Sequence, residues 1–530
     1  MEVSLFQSSQ VKIGRAELGN REFGFCKLSG DLRTQISFGR KTSWKNGRVQ
    51  FTLRAVQSES IRPVKVPGRV KRSNSNDGVR LLVGLPLDAV SDCNSVNHAR
   101  AIAAGLKALK LLGVTGVELP VWWGVVEKDA MGKYEWSAYH SLVEMVQKAG
   151  LEVHVSLCFH ASNQLKISLP DWVSSLGESQ PGIFFKDRSG QQYKECLSLA
   201  VDELPVLNGK TPIHVYRDFC ESFKASFLPF LGSTITGISV SLGPDGELRY
   251  PSHHQSVKRG KIPGVGEFQC FDENMLSGLK QHAEATGNPL WGLGGPHDAP
   301  SYDQSPYSNA FFKDHGGSWE SPYGDFFLSW YSNQLISHGD RILSLASSTF
   351  GETEVTVYGK VPLMYSWYKT RSHPSELTSG FYNTSSRDGY EAVADMFGRN
   401  SCKMILPGLD LSDVHQLHES HSSPESLLSQ IRMVCRKHGV EISGQNSSVS
   451  GAPGGFQQIK KNLLGENGID LFTYQRMGAY FFSPEHFPSF AGFVRSLNQL
   501  ELQSDDLPGE DEATESIHSN SEAGIHMQAA

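Results

Sequence analysis

Val79-Arg-Leu-Leu-Val-Gly-Leu-Pro86 and Thr115-Gly-Val-Glu-Leu-Pro-Val-Trp122 are short apolar, β-branched runs, and between them Ile102, Leu106 and Leu109 recur at helical spacing. Strand, helix and strand in so short a span make a βαβ unit, whose second strand lies parallel to the first. The same alternation continues along the chain. Further apolar runs lie at Leu151–Phe159, Thr236–Leu242, Val355–Leu363, Ser401–Leu409, Gly439–Ser443 and Gly468–Tyr474, each followed by a polar or Gly/Pro-containing loop. Leu142, Met145, Val146 and Ala149 form a helical stripe closed by Gly150. A second marked helix has Ser423 as N-cap and Pro424 at its first position. Its stripe is Leu427, Leu428, Ile431, Val434 and Cys435, and Gly439 stops it. Eight buried strands alternating with helices predict an α/β fold, a (β/α)8 TIM barrel over residues 79–500, with 160–235 and 243–355 as long loop insertions. A doubly wound open sheet would call for a phosphate loop, and neither GxGxxG nor GxxxxGK[ST] follows any of the strands.

The 530 residues suffice for one such barrel with extensions. A net charge of -7 argues against a broadly basic nucleic-acid-binding surface. No window approaches the roughly 18 uninterrupted apolar residues of a membrane span, so neither nucleic acid nor membrane is an expected partner. The eight cysteines are scattered without a CxxC pair, which predicts buried free thiols and no disulfide framework. The two ends differ in charge. Residues 1–70 carry thirteen Lys or Arg against five acids, with frequent Ser and Gly, and residues 1–78 read as a transit peptide and flexible linker. Residues 501–530 carry eight acids and no Lys or Arg, and read as an acidic disordered tail.

In a barrel of this kind the chemistry sits at the C-terminal ends of the strands. After the fourth strand, Leu242-Gly-Pro-Asp-Gly-Glu-Leu-Arg-Tyr-Pro251 places Glu247 at the rim. That carboxyl is either an acid tuned by its surroundings or a carboxylate paired with Arg249. Other strand ends offer Trp122, Trp123, His160, Lys360, Trp367, Tyr368, Asp410, Asn446 and Arg476, flat aromatics and hydrogen-bonding groups suited to a neutral polyhydroxylated ligand. His253 and His254 are adjacent and cannot share a helix face, so no metal is predicted, and no cofactor. No GxSxG nucleophile elbow occurs.

The stretch 242–251, Gly264-Val-Gly-Glu-Phe-Gln-Cys270, Phe326-Phe-Leu-Ser-Trp-Tyr-Ser332, Trp367-Tyr-Lys, Glu376-Leu-Thr-Ser-Gly-Phe-Tyr-Asn383 and Phe472-Thr-Tyr474 together resemble the plant β-amylases of glycoside hydrolase family 14. The resemblance implies a (β/α)8 barrel that releases maltose from non-reducing ends of α-1,4-glucans with inversion. Such an enzyme uses one carboxylic acid to protonate the leaving oxygen and one carboxylate to take a proton from water. By resemblance Glu247 is the acid. The base of the family motif Gly-Glu-Asn falls on Gln445, in Gly444-Gln445-Asn446. An amide accepts no proton at relevant pH. The resemblance assigns His160, Lys360, Asn446, Arg476, Trp123 and Asp410 to substrate binding.

Other departures cluster around the same site. A sugar-binding Asp reads Pro120, and the glycine-rich lid is shortened to Ala161-Ser-Asn-Gln-Leu-Lys166. A His-Trp pair reads Tyr365-Ser366, and the inner-loop threonine reads Pro407. The sequence therefore predicts a homologue of the inactive plant type, acting in plastid (stromal) starch metabolism by binding glucan or a starch-degrading protein. A weakly active maltohydrolase with Asp410 or Asp413 as substitute base is the second reading. A regulator carrying a DNA-binding domain is the third, and residues 1–70 lack the periodicity it needs.

Overall fold

The computed structural model describes residues 78–253, 262–447, 454–464 and 468–498. Ten strands are present among them: β1 (Arg80–Gly84), β2 (Gly116–Trp122), β3 (Glu152–Cys158), β4 (Phe184–Lys186), β5 (Gln192–Leu197), β6 (Ile235–Val240), β7 (Thr356–Lys360), β8 (Lys403–Leu406), β9 (Ile442–Gln445) and β10 (Leu471–Tyr474). Eight of them close a parallel barrel in the order β1-β2-β3-β6-β7-β8-β9-β10, with β10 returning to β1 at Leu82↔Thr473. Each of the eight apolar runs of the sequence supplies one barrel strand. Both terminal segments, expected to be disordered, lie outside the described residues apart from Gly78.

Helices cover the outside. In the helix Ala99–Leu112, Ile102, Leu106 and Leu109 face the barrel, and Gly113 ends it at φ 91°, its N–H on the Leu109 and Lys110 carbonyls. The helix Pro424–Lys437 buries its whole predicted stripe, but its N-terminus is built differently from expectation. The Ser423 hydroxyl is spent on Asp413 Oδ2 (2.6 Å), and Asp413 Oδ1 instead accepts the Glu425 N–H at 3.1 Å. A carboxylate from another loop thus meets the positive helix end. Gly439, at φ 67°, delays the next strand, so β9 begins at Ile442 and carries Gln445 as its last residue.

The insertions are more ordered than the loops expected from sequence. Residues 160–235 hold the antiparallel pair β4–β5 and the helix Pro212–Phe227, while 243–355 contain the 29-residue helix Pro322–Phe350. Inside the barrel, Leu82, Tyr358, Ile405 and Leu471 form a separate apolar layer that plugs the centre. Among the described residues seven cysteines are free, and all but Cys93 are buried. Among the described residues no helix is long and apolar enough to cross a membrane.

Candidate active site

Above the apolar plug, the C-terminal ends of the strands surround a cavity of about 820 Å³. The period-2 alternation of a strand decides which side chains reach it. On β2, Glu118, Pro120 and Trp122 line the cavity; beyond β3 stands His160, and beyond β6 stand Ser241 and Glu247. Lys360, Gln445, Asn446 and Arg476 come from the ends of β7, β9 and β10. Six of the eight site residues expected from sequence therefore meet in one cavity.

Glu247 is placed by backbone. Gly243, at φ 150°, leaves a turn where an added Cβ would lie 2.7 Å from the Glu247 carbonyl oxygen. The chain then runs beside the end of β7, with the Leu248 N–H on the Lys360 carbonyl at 2.9 Å. The carboxylate, 15 % exposed, meets Lys360 Nζ at 3.1 Å through Oε1 and accepts from Arg249 Nε at 2.9 Å through Oε2. The paired alternative is thus the observed one. Beside it, Arg249 also reaches Asp245. Burial pushes the His160 imidazole down to about 4, against the attraction of Asp245, so the ring is neutral near pH 7. Its Nδ1 lies 2.9 Å from the Ser241 hydroxyl.

Gln445 is 6 % exposed, and its carbonyl accepts the Leu409 N–H at 3.0 Å. Next to it, Asn446 works on backbone: its Nδ2 donates to the Gln475 carbonyl (2.9 Å) and its Oδ1 accepts the Gln475 N–H (2.6 Å). That amide ties the end of β9 to the segment carrying Arg476. Arg476 donates to the Leu85 carbonyl at 2.7 Å and stands 3.7 Å from Glu118.

Glu118 is a site residue that the sequence reading missed. Burial works against its charge, but Arg476, the Ser156 hydroxyl (2.7 Å) and the Gln475 amide together hold its carboxyl below the usual range. Its signal was available: residue 118 shares the parity of 120 and 122 on one strand. The loss of an N–H at Pro120 costs no ladder bond. Residue 118 points its carbonyl at Leu85, the last β1 contact on that side, so residue 120 points the same way past the end of β1.

Two expected residues are elsewhere. Trp123 is the first residue of a short helix, Trp123–Val126, beyond the end of β2, and is fully buried outside the cavity, edge-on to Trp172 and Tyr216, with Nε1 donating to Glu127 at 2.7 Å. Asp410 lies behind the wall, where it accepts from the Ser447 N–H (2.5 Å) and hydroxyl (2.6 Å). Asp413 is occupied at the helix end described above and by Lys369 at 3.3 Å. Trp367, with its indole on the Pro263 carbonyl, and Tyr368 do not line the cavity either. The short 161–166 segment is pinned: Ser162 and Ile167 exchange both backbone hydrogen bonds, and Asn163 reaches Glu195 at 2.6 Å.

Residues 82–501 match the pattern of Glycosyl hydrolase family 14. The chain is 59 % identical over 521 residues to a protein of Arabidopsis thaliana named Inactive beta-amylase 9, covering 97 % of this chain and 96 % of that one. Beta-amylase 1, chloroplastic, of the same plant is 39 % identical over 83 % of this chain and 79 % of its own. Among solved structures, the catalytic domain of beta-amylase from Paenibacillus polymyxa superposes with a TM-score of 0.65 at 26 % identity, covering 79 % of this chain and 98 % of that one.

Proposed function

Because the chain belongs to glycosyl hydrolase family 14, we propose that it is a β-amylase homologue of α-1,4-glucan metabolism that binds glucan or regulates its degradation without hydrolysing it. The observation that carries this reading is Gln445 at the end of β9, in the cavity wall. Inverting hydrolysis needs a carboxylate there to take a proton from water, and an amide is no such base. A positioned general base is worth typically about 10²–10⁴-fold.

Three further features support the loss. Both oxygens of Glu247 are engaged by Lys360 and Arg249. The two aspartates that could substitute as base, Asp410 and Asp413, are held by Ser447 and by the helix end at Glu425, outside the cavity. The 161–166 segment is closed on itself and has no glycine to hinge on. Trp122, His160, Lys360 and Arg476 still offer an aromatic face and hydrogen-bond donors to a sugar. The name Inactive beta-amylase 9 borne by a relative agrees with this reading. Chloroplastic relatives and the basic, acid-poor residues 1–70 support action in the plastid.

The test pairs two measurements on the full chain: calorimetric binding of maltoheptaose and release of reducing sugar from it. Binding without release is the expected result. Maltose release at a rate near that of an authentic β-amylase overturns the reading.

A further inference from the structure

On the outer face of the barrel, the helices Ala99–Leu112 and Ser137–Lys148 leave between them an apolar groove of about 720 Å³. Its floor is Ala103, Leu106, Met145 and Ala149, and Leu111 stands beside it 90 % exposed. A leucine so placed at the edge of an open apolar groove buries nothing within the described residues. The rim is basic. Lys107, Lys110 and Lys148 face Glu144, which among the described residues pairs with Lys148, at 3.3 Å. Lys110 donates to the neutral Gly150 carbonyl at 2.6 Å and has no carboxylate partner among the described residues.

We propose that this groove is the docking site of the chain's own acidic C-terminal segment, residues 499–530. Position argues for it first. The last described helix, Phe487–Asn498, packs against Ala99–Leu112 on the flank away from the groove. Barrel helices run opposite to the strands, so the ends of all three helices lie at the same rim, where Leu111, Lys110 and Lys148 are found. Crossing one helix to reach the groove is a path of about 20 Å at helix spacings of 8–10 Å. At about 3.3 Å per extended residue, some six residues cover it and deliver Asp505-Asp-Leu-Pro508 to the rim.

Chemistry argues for it second. Residues 499–530 contain eight carboxylates and no Lys or Arg, with Leu507 and Ile517 among them. An apolar side chain flanked by aspartates complements an apolar groove flanked by lysines.

The experiment is carbodiimide cross-linking of the dilute full chain, which joins carboxylates to lysines in contact, followed by mapping of the joined peptides. The expected result is intramolecular links from Lys107, Lys110 or Lys148 to acids between 501 and 522, lost in 0.5 M salt and in L111E/K107E. As both replaced side chains are on the surface, that variant leaves the barrel folded. Cleavage by a Glu-specific protease within 510–515 is the second readout, expected to speed up about tenfold in the variant, the equilibrium factor for losing one buried leucine at the low end of its range. Links only between molecules, links scattered over lysines elsewhere, or cleavage equally fast in both proteins overturn the proposal.

Discussion

Replacing Gln445 by Glu restores a carboxylate to the end of β9 with no change in the number of side-chain heavy atoms, so the packing around this nearly buried residue is kept. The cavity is lined by Glu118, Asp245 and Glu247 and by Lys360 and Arg476, with Arg249 paired to Asp245 and Glu247, so the added charge enters a site with cations nearby. If the missing base limits the wild type, Q445E gains about 10²–10⁴-fold in maltose release. It remains below an authentic β-amylase. Pro120 and Pro407 offer no side-chain hydrogen bond, and each such contact to a charged or strongly polar partner is worth about 1.5–3 kcal/mol, or roughly 10–150-fold. The assay is reducing-sugar release from maltoheptaose by the full chain, with the anomer of the product followed by NMR. A rate for Q445E equal to that of the wild type, at any level, refutes the assignment of the lost activity to Gln445.

Three further outcomes follow from the geometry. Trp123→Ala empties a fully buried site and leaves the Glu127 carboxylate without its indole partner, so urea denaturation should show a loss of about 3–5 kcal/mol; weakened maltoheptaose binding at unchanged stability would return Trp123 to the sugar site. Asn446→Ala breaks both amide contacts to the Gln475 backbone and should cost about 2–3 kcal/mol, whereas Asn446→Asp keeps the acceptor and should cost less in the same measurement. Burial holds the His154 imidazole down at about 4, below its ordinary value near 6.5. The folded state thus stays unprotonated while the unfolded chain takes up a proton. The stability His154 contributes is complete above about pH 6.5 and falls as pH drops toward 4, by up to about 1.4 kcal/mol per unit. His154→Phe should flatten the acid side of the stability–pH curve over that window, and an unchanged slope in the variant counts against it.

The amino-acid sequence by itself determined the barrel, because each strand is a short apolar run and each helix an apolar stripe, and both patterns are local. Val79–Pro86, Thr115–Trp122 and their six successors became the eight barrel strands. Resemblance to the family motif Gly-Glu-Asn singled out Gln445, and that an amide is no base holds whatever its surroundings. What it left open depends on neighbours distant along the chain. Trp122 and Trp123 are adjacent and chemically equal, and only the place where β2 ends, with Trp122 paired to Cys158 of β3 and Trp123 opening a short helix, sends one to the cavity and the other to the core. Whether Glu247 pairs with Arg249 was settled by the turn that brings the two to 2.9 Å, and the second cation, Lys360 at 3.1 Å, comes from β7. Asp410 and Asp413 looked alike as substitute bases until the fold gave one to Ser447 and the other to a helix end. Hydrophobic periodicity says that a residue is inside, while the partner of a charge is set by the closed ring of strands, which sequence spacing does not encode.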